Sequence, residues 1–392
     1  VRAAVVSSVR TVLGDVRPED LGVCDAHDHL FLRSPQLPGQ ELNDATAARA
    51  ELEAFRAAGG ASVVQWTPLG MGRRAADLPL LSRAAGVHVV CATGLHQAAH
   101  YTPELLDELC GKLADVYVSE LTEGIGTSGV HAGLVKVAGG FHTLDAHARW
   151  TMTAAAQAHH ATGAPIAVHL ELGTGALDVL DLLCGELGVP PKRVILGHLN
   201  RSPDLVVQRQ AAEAGCWLAF DGPSRAHHAT DWRMPDAVRA LAEAGFGHRL
   251  LLGGDTVVAG ARSVDGGPGM PYLLRRIRPR LARELGEELM NRVLTENPGR
   301  AFASSGVERK GSPPQRVGPL VARSRRGAAP GRAPSLTSRI NDRARPNPRR
   351  RSGTRPAPPR RSPERSGAEW WRVARPVRSA SGWGGPRAAR TR

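Results

Sequence analysis

Eight short apolar runs, each followed by a stretch with helical spacing, constrain this 392-residue chain more than any other feature. The runs cover residues 23–31, 61–67, 87–93, 133–138, 165–171, 194–200, 216–221 and 250–255. They are nearly continuous in apolar character rather than alternating, as strands are when a parallel sheet is buried on both faces. Helical patterns fill the gaps. One spans residues 103–121 and a last one 279–294, each with proline at its first position, where the missing N–H costs nothing. Asn43 and Asp44 stand where a helix cap belongs, ahead of residues 45–58. Eight strand–helix units over about 280 residues predict a (β/α)8 TIM barrel. An open doubly wound sheet is the alternative, but no G-x-G-x-x-G follows the first strand to supply that fold's phosphate site. Residues 9–22 read as a short N-terminal β-hairpin with Gly14–Asp15 at its turn.

Charge divides the chain at the end of the barrel pattern. From residue 304 onward 23 Lys and Arg stand against 4 Asp and Glu, a net of +19. The whole chain carries +14, which leaves −5 for residues 1–303. The basic character therefore belongs to residues 304–392, a stretch of Arg, Pro, Gly and Ser without apolar periodicity. Such a segment buries too little to offset its ordering entropy, so a disordered tail is expected beside a 1–303 catalytic barrel. It reads as a passive tail or a reading-frame extension. Nucleic acid, for which Arg349–Arg351 and Trp370–Trp371 are the only argument, is not the expected partner. Five cysteines without a C-x-x-C, and no apolar run of membrane-spanning length, predict a cytoplasmic protein with no membrane partner.

The polar residues at the strand ends carry the chemistry. His27 and His29 occupy one strand at i and i+2, which places both imidazoles on the same face. Lys136 interrupts G-L-V-K-V-A, His169 ends V-H, His198 lies in G-H-L-N-R, and Asp255 ends L-L-L-G-G-D. In a barrel of this kind the active site gathers at the C-terminal ends of the strands. Each histidine alone is explained by an ordinary hydrogen-bonded core residue. Lys136 is harder to explain, because an unpaired buried ammonium needs a partner, a depressed pKa or a chemical modification. Together the six suggest a metal centre.

These segments resemble the phosphotriesterase family of the amidohydrolase superfamily. The likeness includes H-D-H, G-L-V-K-V, G-H-L-N-R, the opening T-V-L-G…P-E-D-L-G, E-G-I-G-T-S-G-V-H-A-G at 123–133 and the closing L-T-E-N-P-G-R-A-F. It covers about residues 9–303. Separations of 33, 29 and 57 residues along Lys136, His169, His198 and Asp255 suit its shorter, lactonase-like members. The resemblance implies two divalent metal ions, zinc first, with manganese, cobalt and iron also suited to the donors. It assigns His27, His29 and Asp255 to the more buried ion and His169 and His198 to the more exposed one. An N6-carboxylated Lys136 bridges them. It further implies attack by a metal-bridging hydroxide, with Asp255 and Lys136 catalytic and Asp255 passing on the proton.

The implied reaction is hydrolysis of a small-molecule lactone or other ester, or alternatively of an organophosphate triester, and dimers are common in the family. Two departures stand out. Gly253–Gly254 replaces the Ser-His that precedes the aspartate in better-known members, and His96 stands where lactonase-like members carry an aromatic residue. His96, Arg225 and Arg262 are the candidate substrate residues. Gly266–Gly269 is a candidate mobile loop. A barrel that binds metal but has lost catalysis, with its basic tail on nucleic acid, is the rival from another class.

Overall fold

The computed structural model describes residues 7–222 and 233–304. A hairpin opens the chain, β1 (Ser8–Thr11) and β2 (Gly14–Val16). Its turn is Val12–Leu13, earlier than the expected Gly14–Asp15. The Thr11 hydroxyl donates to the Gly14 carbonyl (2.7 Å) and accepts from the Leu13 N–H (3.2 Å), which staples the turn there.

All eight apolar runs form strands. They are β3 (Cys24–Asp28), β4 (Ser62–Gln65), β5 (His88–Gly94), β6 (Leu134–Ala138), β7 (Ile166–His169), β8 (Val194–Gly197), β9 (Trp217–Phe220) and β10 (Leu250–Leu252). Each pairs in parallel with the next. Just past β10 the Asp255 N–H donates to the His27 carbonyl (2.9 Å), joining the last strand to β3 and completing a (β/α)8 barrel. β11 (Ala303–Ser304) then pairs antiparallel with β1, adding a third strand to the hairpin's sheet. The rest of the expected tail, residues 305–392, lies outside the described residues.

Side chains alternate across the barrel wall. Val135 and Val137 of β6 pack outward with the helices, while Leu134 joins an interior cluster with Ala26, Val64, Trp66, Val90, Ile195, Ala219 and Leu251. Val9, Leu21 and Phe302 belong to the same cluster and extend it to the hairpin segment. Apolar packing thus fills the barrel below the strand ends and leaves the polar groups to the top layer.

Helices follow the strands: α1 (Ala45–Ala57), α2 (Leu78–Ala85), α3 (Pro103–Leu109), α4 (Leu113–Thr122), α5 (Ala146–Thr162), α6 (Ala176–Leu180), α7 (Leu205–Ala214), α8 (Met234–Glu243), α9 (Arg278–Leu285), α10 (Glu287–Asn291) and α11 (Asn297–Ala301). Asp44 caps α1 as expected, accepting from the Thr46 and Ala47 N–H groups at 2.7 and 3.1 Å, a contact worth about 1 kcal/mol. Two expected helices are broken. Gly111 (φ +77°) separates α3 from α4, and Gly286 (φ +92°) ends α9 within the 279–294 stretch. Neither backbone conformation continues a right-handed helix. Among the described residues no helix is long and apolar enough to cross a membrane, and all five cysteines are free.

Candidate metal centre

His27 and His29 reach the top of the barrel by an irregular route. The pairing register of β3 shifts between Asp25 and Asp28, and the strand ends before His29. Simple i, i+2 alternation therefore does not explain their shared direction; the irregularity re-aims them. The His27 ring stacks on Trp66 (3.8 Å, 16°). Trp66 is locked by its Nε1–H on the Ala26 carbonyl (2.9 Å), and Gly197 makes room for it, since a Cβ there would lie 2.8 Å from the indole.

Hydrogen bonds fix which nitrogen each ring presents. His27 Nδ1 lies 2.8 Å from Asp221 Oδ2. His29 Nδ1 lies 2.7 Å from the Thr67 hydroxyl, which donates its own proton to the Phe31 carbonyl (2.6 Å) and so accepts from the imidazole. Both rings then carry their proton on Nδ1. Both Nε2 lone pairs face Asp255 Oδ1, each at 3.6 Å. Burial pushes His29 down to about 4, which keeps it neutral at physiological pH.

The second pair follows the same rule with different partners. His198 Nδ1 lies 2.6 Å from Asp221 Oδ1, and His169 Nε2 lies 3.1 Å from Glu171 Oε2. Burial, with His198 beside it, pushes His169 down to about 3. Each carboxylate engages the outward nitrogen of its ring, so the remaining two ring nitrogens face each other. His198 Nε2 and His169 Nδ1 are 2.8 Å apart, at hydrogen-bonding distance, and both are imidazole nitrogens of the kind that ligate divalent ions. Both His198 (φ +61°) and Asp255 (φ +50°) adopt the left-handed backbone region, a strain that clusters at functional sites.

Asp221, at the end of β9, was not among the expected site residues. It is fully buried and joins His27 to His198. Burial alone would raise its pKa, but the two imidazoles hold it far below the usual carboxylate range. Its place after an apolar strand, in C-W-L-A-F-D, is the same signal that singled out Asp255. Glu171 and Thr67 also went unassigned.

Lys136 is 2% exposed on β6, and burial pulls it down to about 7 against the opposing pull of Asp255 and Glu171. Gly94 of β5 lies alongside, and any side chain there would strike the Lys136 carbonyl.

Gly253 and Gly254 have a steric reason. A Cβ on Gly253 would lie 2.7 Å from the His27 carbonyl oxygen, and one on Gly254 2.2 Å from Asp28 Oδ2. The glycines let the strand end close on β3. Asp28 accepts from the Thr256 N–H (2.9 Å) and Asp25 from the Gly254 N–H (3.0 Å). Burial lifts Asp25 to about 7, and burial together with Asp25 lifts Asp28 well above the usual carboxylate range.

The three candidate substrate residues part company. His96 stands at the site, its ring 4.5 Å from that of His169 and 4.3 Å from that of His100. Arg225 lies outside the described residues. Arg262 is 2% exposed and is engaged by backbone rather than open to the site. Its guanidinium donates to the Leu30 and Asp44 carbonyls. Nor does the loop after β10 hang loose. Buried Glu51 of α1 accepts from the Ser263 hydroxyl (2.7 Å) and the Met270 N–H (2.8 Å), which straps the Gly266–Gly269 region down.

Imidazole lone pairs, a carboxylate and a buried lysine make a donor set that fits divalent ions. His27, His29 and Asp255 form one group able to hold an ion. The grouping of His27, His198 and Asp221 is instead a hydrogen-bonded one, because the Asp221 oxygens take the Nδ1 protons.

Known proteins resemble this chain over nearly the whole barrel. The Phosphotriesterase family model matches residues 7–302. A phospho-furanose lactonase from Mycoplasmopsis agalactiae is 30% identical, over 75% of this chain and 91% of its own. An N-acetyltaurine hydrolase from Rattus norvegicus is 27% identical, over 76% and 98%. The crystal structure of a lactonase from Listeria monocytogenes superposes with a TM-score of 0.71 at 28% identity, covering 76% of this chain and 99% of that one.

Proposed function

Since the chain belongs to the phosphotriesterase family, we propose that it is a binuclear-metal hydrolase that opens a lactone or cleaves another small ester. The observation that carries this is the convergence of two donor groups at the top of the barrel. His27 Nε2, His29 Nε2 and Asp255 form one, and the facing nitrogens of His169 and His198 form the other. Lys136 completes the donor set. The relatives with lactonase activity support the bond type, and phosphotriesters are the alternative substrates for the same site.

Two bound ions would supply Lewis-acid polarisation of the scissile group and activation of water at neutral pH. The chain's own residues do the rest. Asp221 and Thr67 hold the His27 and His29 tautomers. Lys136, partly neutral near pH 7, offers an amine that adds carbon dioxide with loss of a proton, which turns a buried cation into an anionic ligand. Asp255, within reach of both ligand groups, is placed to take the proton released in the attack on substrate. His96 borders the His169 side of the site and lines the substrate space.

The test is elemental analysis of the purified protein, followed by a screen of lactones, carboxylic esters, phosphotriesters and N-acyl amides. Two divalent ions per chain and turnover of a lactone or ester are expected. One ion or none rules out the binuclear centre, and turnover confined to amides rules out the ester assignment.

A further inference from the structure

We propose that Glu171 is a positioning residue that sets His169 in the tautomer the second ion requires, with Gln97 holding Glu171 in turn. This deepens the binuclear reading above and rests on it. His169 is the most exposed of the histidine ligands, its side chain at 17% against 2%, 8% and 7% for His27, His29 and His198. The other three are gripped by partners in the barrel wall. His169, at the last position of β7, has a loop residue instead. A half-turn of its ring would exchange Nδ1 for a carbon and break the contact with His198.

The loop is shaped to prevent it. Leu172 takes a left-handed backbone (φ +50°), and the Gly173 N–H donates to the Leu170 carbonyl (2.9 Å). The Thr174 N–H and hydroxyl both return to the Glu171 carbonyl, at 3.0 and 2.8 Å. This tight turn keeps Glu171 beside His169, with Oε2 3.1 Å from Nε2. Gln97, arriving from the β5 loop, donates its amide to the same Oε2 (3.0 Å) and to the Gly139 carbonyl after β6 (2.9 Å). Three neighbouring loops are thereby tied at one carboxylate. The arrangement mirrors Asp221 on His198, so each of the two facing imidazoles has a carboxylate on its far nitrogen. Carboxylates that orient metal-bound histidines typically change metal affinity 10–100-fold when removed.

Two measurements on the full chain test this with Glu171→Ala and Glu171→Gln, whose amide oxygen still accepts an N–H. In long-range 1H–15N spectra of the metal-free protein, His169 is expected as the Nε2–H tautomer in wild type and Glu171→Gln, and as a mixture in Glu171→Ala. In a chelator competition with zinc, the more weakly held ion is expected to lose about 10–100-fold in affinity in Glu171→Ala and less in Glu171→Gln, the tighter ion being unchanged. An unaltered tautomer in Glu171→Ala, or equal retention of both ions, overturns the proposal. A wild-type protein holding a single ion counts against the binuclear centre, and the metal-free spectra still decide the role of Glu171.

Discussion

His27 and His29 hang from the β3 side of the barrel with almost no exposure, and their partners come from the packed wall: Asp221, Thr67 and the face of Trp66. His169 sits at the opposite rim, where its partner Glu171 is itself 30% exposed and depends on a turn and on Gln97. The same requirement, one protonated nitrogen turned outward and one lone pair turned inward, is met in one half by the core and in the other by loops. A ligand fixed by the core costs little extra order when an ion binds. A ligand fixed by a loop depends on contacts that water can replace. The first half should therefore bind more tightly and tolerate loop changes, and the second should be the half through which affinity is tuned.

Asp221 belongs to both halves, so Asp221→Ala should erase the contrast and give the largest effect. It leaves two buried imidazole N–H groups unpaired, at about 1–3 kcal/mol each. Urea denaturation should show that loss, and metal titration should show both ions weakened. Loss of one ion only would mean that Asp221 serves a single half. Gly254→Ala should sharpen the contrast. The new methyl meets Asp28 Oδ2 and Asp25 Oδ2 behind His27 and His29. A destabilisation of about 1–3 kcal/mol is expected, as for an overpacked core, with the tighter ion weakened and the other unaffected. A variant as stable as wild type would show that the close approach of the two strand ends is not required.

A graded effect, at any single pH step the smallest, concerns Lys136, which lies between the halves. Its pKa is about 7 in the folded chain against 10.5 for an ordinary lysine. Between those pH values the unfolded chain binds more protons, so metal-free protein kept free of carbon dioxide should gain stability as pH rises from 7 toward 10.5. The slope is at most about 1.4 kcal/mol per pH unit. Lys136→Met removes the ionisable group, so the stability it gains over wild type should shrink between pH 7 and pH 9. An equal gain at both values would show that the lysine is not depressed.

Much of this was legible in the sequence because parallel-barrel strands announce themselves locally. A buried strand must be apolar along its length, and a polar residue at its end then stands out. That is how His27, His29, Lys136, His169, His198 and Asp255 were singled out. The broken helices were less visible, because Gly111 and Gly286 interrupt otherwise continuous helical spacing. Asp221 ends its strand as plainly as Asp255, but its role depends on His27 and His198, 194 and 23 residues away. Arg262 read as a candidate substrate residue for the same kind of reason, since the carbonyls that bury it belong to the β3–α1 connection.

Alternation of apolar runs with helical spacing, together with six polar residues at the run ends, was enough by itself to specify a barrel and the side of it that holds the chemistry. Those features follow from local periodicity and from the cost of burying polar groups. Only the tertiary structure decided which nitrogen each histidine presents, why two glycines must precede Asp255, and that the loop after β10 is strapped rather than mobile. Each of these depends on distances between segments remote in the chain, and hydrogen bonds are selected by such distances.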